Sequence, residues 1–187
     1  RLSSATRGRR RHDHLRRTFG DGAQRGWDGM SATTPVAAAL DAANIPYRLF
    51  VHAGPVHSLE QAAAERGQAP DQVVRSIVFR LAAGEFVMAL CAGARQISWP
   101  ALRRHLGVSR VTMASREEVR TVTGYELGAV APFGLPAPMR VLVDESVLAS
   151  EEISLGSGVR GTAVIMRRDD LLAALGDAPV VQLSEGG

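Results

Sequence analysis

Between residues 123 and 134 the chain reads TGYELGAVAPFG, and no helix or strand can run through it. Gly124, Gly128, Pro132 and Gly134 all fall within this stretch. Glycine opens positive φ and lets backbone approach a neighbour or a ligand closely. Proline fixes φ and removes one amide donor. The fold must therefore place ordinary elements on either side of an irregular loop. Such a loop can present backbone donors to a small polar group, as nests and oxyanion holes do. A long surface turn without a ligand is the plain alternative, and composition alone favours it.

The 187 residues suffice for one well-packed domain, with little left for a second. No stretch approaches the roughly 18 apolar residues of a membrane span, so no membrane partner is expected. Cys91 is the single cysteine, which excludes an internal disulfide. It lies in the apolar run EFVMALCAG and is expected in a core, with a catalytic role as the lesser alternative. A reducing, cytoplasmic compartment is the default for such cysteine usage.

The charge is unevenly distributed. Residues 1–29 hold eight arginines and three aspartates, a net of +5, whereas the rest holds fourteen arginines against sixteen acids. The basicity therefore belongs to the first segment, and the chain contains no lysine. Residues 1–29 lack hydrophobic periodicity and are expected to form a disordered Arg-rich extension. They have no apolar core of a secretory signal. Met30 is the expected natural start, with residues 30–187 as the folded domain. A targeting peptide and a basic arm for nucleic acid are the other readings of the extension.

From Met30 onward helices and strands intermix. Thr34 and Pro35 predict a helix over PVAAALDAAN. YRLFVH reads as a strand. Ser58 and Gln61 fit a capping box for a helix ending near Gly67. VVRSIVFRLA and EFVMALCA predict a hairpin turning at Gly84. Ser98 caps WPALRRHL, which stops at Gly107. RVTMA reads as a short strand, and Ser115 with Glu118 forms a second capping box. MRVLVDE, EEISL, GTAVIMR and PVVQLS read as strands, with DDLLAAL as a short helix closed by Gly176. The pattern predicts one α+β domain around a mixed sheet.

Single signals for chemistry are weak. Gly156 to Gly161 matches G-x-G-x-x-G, but a strand-like run follows it where a dinucleotide fold needs a helix, so a hairpin turn is expected. His52 and His57 lack the spacing of a metal site. Arg103 and Arg104 beside His105 read as a solvated helix face, with phosphate contact as the functional alternative. Asp144 at a strand end reads as a cap for the next element. No paired carboxylates mark a glycosidase, and no Walker-type loop occurs.

The ordered set of segments is more specific than any one of them. PDQVVRSIVF, CAGARQISWPAL, MASREEVRTVTGYELGAVAPFG, RVLVDESV and SLGSGVRGTAVIM occur in that order. Together, over roughly Ser31 to Leu183, they resemble the YbaK/ProX family of aminoacyl-tRNA deacylases, relatives of the editing insertion domain of bacterial prolyl-tRNA synthetase. The resemblance implies an α+β domain with a mixed, partly barrel-like sheet and flanking short helices. It implies hydrolysis of mischarged aminoacyl-tRNA in trans, with no cofactor, no metal and no protein nucleophile. The acceptor end of aminoacyl-tRNA is the implied partner, and an aminoacyl-tRNA synthetase is a second candidate.

The family's G-x-x-x-P loop matches Gly128 to Pro132, which the resemblance assigns to the aminoacyl carbonyl. Gly156, Ser157 and Gly158 match another pocket wall. Gly124, Phe133, Gly134 and His52 complete the expected substrate-binding set, with Arg103 and Arg104 as expected tRNA contacts. The family lysine falls at Arg75, expected to face the pocket beside Gly128. Arginine keeps the charge and can fork two hydrogen bonds, but it is planar and bulkier. That departure leaves two hypotheses: an editing hydrolase, and a non-catalytic module that binds an aminoacyl-tRNA end or a small amino-acid-like ligand.

Overall fold

Side-chain caps open four of the five α-helices among the described residues, which in this computed structural model are 33–185. Residues 1–29 and Met30, with the expectations placed on them, lie outside that range. Thr34 Oγ1 accepts from Ala37 N at 3.1 Å and starts α1 (Pro35–Ala42). Ser58 Oγ accepts from Gln61 N at 3.0 Å and starts α2 (Leu59–Glu65). The expected box there is only half formed, because Gln61 Oε1 accepts from His57 N instead. Ser98 caps α3 (Trp99–Leu106). Ser115 and Glu118 cap each other's amides in a full box at α4 (Arg116–Thr123). Gly107 and Gly124 end α3 and α4 in the left-handed region, at φ 68° and 77°. α5 spans Arg168–Leu175.

The eight strands among the described residues form two sheets rather than the single mixed sheet expected. One has the order β1 (Arg48–Val51), β7 (Thr162–Arg167), β6 (Glu152–Gly156), all antiparallel. The other has the order β4 (Val111–Met113), β2 (Val74–Leu81), β3 (Phe86–Ala92), β5 (Arg140–Asp144), β8 (Val180–Val181). β2 and β3 form the predicted hairpin, and β5 runs parallel to β3. A single bridge between Val73 and Ser154 links the sheets, so no closed barrel forms.

Strand alternation sorts the five-stranded sheet into two cores. Val74, Val78, Met88, Leu90 and Val143 face Ile153, Leu155, Val164 and Met166 of the other sheet, with Leu40 of α1 and Leu171 of α5. Phe79, Val87, Ala89 and Leu142 pack on the opposite face with Leu102 of α3 and Leu183. β3 is buried on both faces, which explains its unbroken apolar run. Each buried Val, Leu, Ile, Met or Phe among them contributes about 1.5–3 kcal/mol by leaving water.

The last strand is much shorter than PVVQLS suggested. Asp144 takes over the amides that a longer ladder would use: its carboxylate accepts from Leu183 N, Ser184 N, Ser184 Oγ and Ser146 N. Burial alone would raise its pKa, but these four bonds together outweigh burial and hold it below the usual carboxylate range. Asp144 is thus a cap for the next turn, as its strand-end position suggested, and also a tether for Leu183 and Ser184.

Candidate active site

A cleft of about 340 Å³ opens where β2, the 127–130 loop and the end of β6 meet. Val74, Val78, Val119, Val130 and Leu155 make most of its wall apolar. Arg66, Arg75, Ser76 and Thr162 supply its polar side chains. The Ser76 hydroxyl is buried and has no partner among the described residues. Among the described residues no carboxylate, imidazole or thiol lines the cleft.

The glycine loop is held from behind. Tyr125 is buried, and its hydroxyl donates to Phe133 O at 2.7 Å, closing residues 125–133 into a hoop. Burial pushes the Tyr125 pKa up, so the phenol stays a donor. Gly158 N donates to Ala129 O at 2.9 Å, and Val36 N donates to Ser157 O, fastening the loop's support to α1. Gly128 sits at φ 89° with nothing within 4 Å of where a Cβ would stand. Gly128 and Val130 both line the cleft, and their amides have no acceptor among the described residues. A backbone segment with two free donors on a mostly apolar cleft can hold an oxyanion or carbonyl oxygen.

The cleft gathers only part of the expected set: Arg75, Gly128 and Gly156 line it. Gly124 is the C-cap of α4. Pro132, Phe133 and Gly134 follow the lining part of the loop, and a Cβ at Gly134 would meet the Tyr125 hydroxyl at 2.6 Å. Ser157 is buried, bonded to Thr162 Oγ1 and Val159. Gly158 supports the loop rather than lining the cleft. Arg103 and Arg104 lie in the last turn of α3, where the helix dipole favours cations, and neither lines the cleft.

Arg75 is placed differently from the expectation that its guanidinium faces Gly128. It shares the strand parity of Ile77 and Phe79, not of Val74 and Val78. Its Nε donates to Gly93 O at 2.6 Å and one terminal nitrogen donates to Arg95 O. The group therefore ties β2 to the turn after β3 while the residue still forms part of the wall. Cys91 beside it is fully buried; burial, then the Asp144 charge, push its thiol pKa up, so it is no thiolate.

Sequence reasoning missed Arg66. It follows α2, where an arginine reads as an ordinary solvated helix end. Its Nη1 donates to Ser154 Oγ at 2.9 Å, and its Nη2 and Nε reach His52 Nε2 at 3.0 and 3.3 Å. Arginine only donates, so His52 Nε2 must be the unprotonated nitrogen. His52 Nδ1 then carries the proton and donates to Glu65 Oε2 at 2.5 Å. The bond from His52, followed by one from Gln61, holds the Glu65 carboxyl below its ordinary range. The His52 side chain is 1% exposed. His52 therefore stands behind Arg66, outside the cleft wall. No group of three or more potential metal ligands occurs among the described residues.

Residues 53–174 match the family described as the aminoacyl-tRNA editing domain. The chain belongs to that family. The match begins after β1 and takes in Arg66, Arg75, the 128–132 loop and the turn at Gly156. Among curated relatives of this editing domain, a proline–tRNA ligase of Nitratidesulfovibrio vulgaris is 29% identical over 160 residues, covering 84% of the chain and 26% of the ligase. A proline–tRNA ligase of Streptococcus pneumoniae is 31% identical over 106 residues, covering 57% of the chain and 17% of the ligase. The chain thus spans about a quarter or less of the length of these relatives. A crystal structure of a candidate trans-editing enzyme for prolyl tRNA synthetase superimposes with a TM-score of 0.75 at 26% identity, covering 84% of this chain and 100% of that one. The α+β architecture expected from the family resemblance is shared with that structure. No helix among the described residues is long and apolar enough to cross a membrane.

Proposed function

We propose that this editing domain hydrolyses the ester of mischarged aminoacyl-tRNA, acting in trans. The aminoacyl group enters the apolar cleft, and its carbonyl oxygen is held by backbone donors of the Gly128–Pro132 loop. The observation that carries the reading is that two cleft-lining residues, Gly128 and Val130, have amides with no acceptor among the described residues. Those donors favour the tetrahedral intermediate, whose oxygen carries more charge than the ground-state carbonyl.

Among the described residues the cleft walls offer no proton acceptor of ordinary basicity. The hydroxyl of the terminal ribose next to the ester is left to orient the attacking water. Water adds to the carbonyl carbon, the ester C–O bond breaks, and the departing ribose oxygen takes up a proton. The products are the free amino acid and uncharged tRNA. Arg75 contributes positive charge to the wall and fixes the Gly93–Arg95 turn. Arg103 and Arg104 add phosphate contacts farther along the tRNA.

Because the similar ligases act on proline, tRNA for proline carrying a wrong amino acid is the first substrate to test. A panel of such tRNAs incubated with purified protein should release amino acid from at least one member. A second reading, binding without hydrolysis, is favoured by one observation: the Arg75 guanidinium is already engaged by two backbone carbonyls. Stoichiometric binding across the panel with no release is its expected result.

A further inference from the structure

Arg66 is a cation on the cleft wall with no carboxylate partner among the described residues. Its three hydrogen bonds go to neutral groups, the lone pair of His52 Nε2 and the hydroxyl of Ser154. The nearest carboxylate in sequence, Glu65, is bonded to the far side of the His52 ring. Burial lowers the Arg66 pKa, with the Glu65 charge opposing, yet a guanidinium stays protonated. Of its five N–H groups three are used, which leaves one on each terminal nitrogen without a partner. Those two hydrogens remain as charged donors for an anionic oxygen.

The scaffold around Arg66 limits its freedom. Ser154 is fully buried and bridges to Val73, so the Nη1 bond anchors Arg66 to the junction of the two sheets. His52 is seated by Phe50 edge-on and by Glu65. An arginine held on two sides by neutral, buried acceptors is oriented without being neutralised, and its charge remains available to a ligand.

The proposed substrate determines which anion that is. In an aminoacyl ester the α-carboxylate has become the ester, and the α-amino group is a cation that Arg66 repels. The anion that every aminoacyl-tRNA end must carry is the phosphodiester joining the last two nucleotides. We infer that Arg66, oriented by His52 and Ser154, binds that terminal phosphodiester and so sets how deep the ester enters the cleft. The inference rests on the reading that an aminoacyl-tRNA end occupies this cleft. Arg66 is then a binding residue, and His52 and Ser154 are positioning residues that act through it.

The test compares two small probes with the 187-residue protein. Cytidylyl-3′,5′-adenosine carries the phosphodiester, and adenosine does not. The dinucleotide should bind wild-type protein on the order of tenfold more tightly than adenosine, the scale of one charge-assisted contact. In Arg66→Gln that preference should vanish, the loss falling on the dinucleotide, and Arg66→Lys should keep part of it. A readout that needs no variant guards against misfolding of Arg66→Gln. Log affinity of the wild type against log salt should be steeper for the dinucleotide by about 0.7, one single-strand phosphate contact.

Equal binding of the two probes to wild-type protein, or a preference that survives in Arg66→Gln, overturns the inference. So does an Arg66-dependent gain for adenosine esterified with an acidic amino acid that exceeds the gain for the dinucleotide, since Arg66 would then read the side chain. An Arg66-dependent preference in a protein that deacylates no tRNA sustains the inference and removes the hydrolase reading.

Discussion

A Cβ on Gly156 would stand 2.5 Å from the carbonyl oxygen of Ala129. The end of β6 and the Gly128–Pro132 loop are therefore in backbone contact, and only a residue without a side chain fits between them. Gly158 N donates to that same Ala129 oxygen. The two glycine-rich stretches, separate in sequence, form one rigid unit along the cleft.

Gly156→Ala should force that contact apart. Overpacking of this kind costs about 1–3 kcal/mol, which thermal melts would register as a lower midpoint. Deacylation should fall with it, because the displaced segment carries the Gly128 and Val130 amides. A variant with wild-type melting and wild-type turnover would separate the two stretches.

Gly128→Ala should behave differently. Space for the methyl exists, but φ of 89° disfavours any L side chain. The stability loss should stay near 1–2 kcal/mol, while relaxation of the backbone misaims a carbonyl donor. Loss of one such donor lowers turnover on the order of 100-fold or more. Single-turnover deacylation alongside a melt checks this; unchanged turnover takes the loop out of the mechanism.

Much of the fold was legible because it is local chemistry. Thr34, Ser58, Ser98 and Ser115 cap helices where they were expected to, and Gly107 and Gly124 end them. The β2–β3 and β6–β7 hairpins follow from runs either side of short turns. The division into two sheets was not legible, because pairing β1 with β7 and β3 with β5 is decided across long sequence separations. PVVQLS looked like a strand because its propensity is real, but Asp144 captures the Leu183 and Ser184 amides first. Within the site, Gly128 and Gly156 stood out as glycines in unusual clusters. Arg66 left no local signal, since its role depends on Ser154, far along the chain. Arg75 was legible as a position, but strand parity carries its guanidinium to the Gly93 and Arg95 carbonyls.

Arg75→Ala should therefore cost stability as well as function. Removing the guanidinium leaves the Gly93 and Arg95 carbonyls without their donor, a loss of about 1–3 kcal/mol. Turnover should fall as the β2 wall loosens. Arg75→Lys, which keeps the charge but not the fork, should recover part of both. Melting and deacylation of the two variants decide this; an alanine variant that melts like wild type would show that the tie is not structural.

Asp144 predicts an acid limb of stability. Its folded pKa lies below its unfolded value, so the carboxylate stabilises the fold above the ordinary carboxylate range. That contribution fades as pH falls through the folded pKa. Asp144→Asn should cost about 1–3 kcal/mol near neutral pH, and its deficit against wild type should shrink steadily below about pH 4. Chemical denaturation of both proteins across that range measures the deficit, and a constant difference would contradict the assignment.

Editing by hydrolysis is measured by release of amino acid from mischarged tRNA for proline, with the tRNA in large molar excess over protein. Many turnovers per protein molecule are expected on at least one mischarged tRNA, with much slower release from the same tRNA carrying proline. Release that stops at one equivalent, or that never exceeds the rate without protein while the tRNA binds, would contradict it.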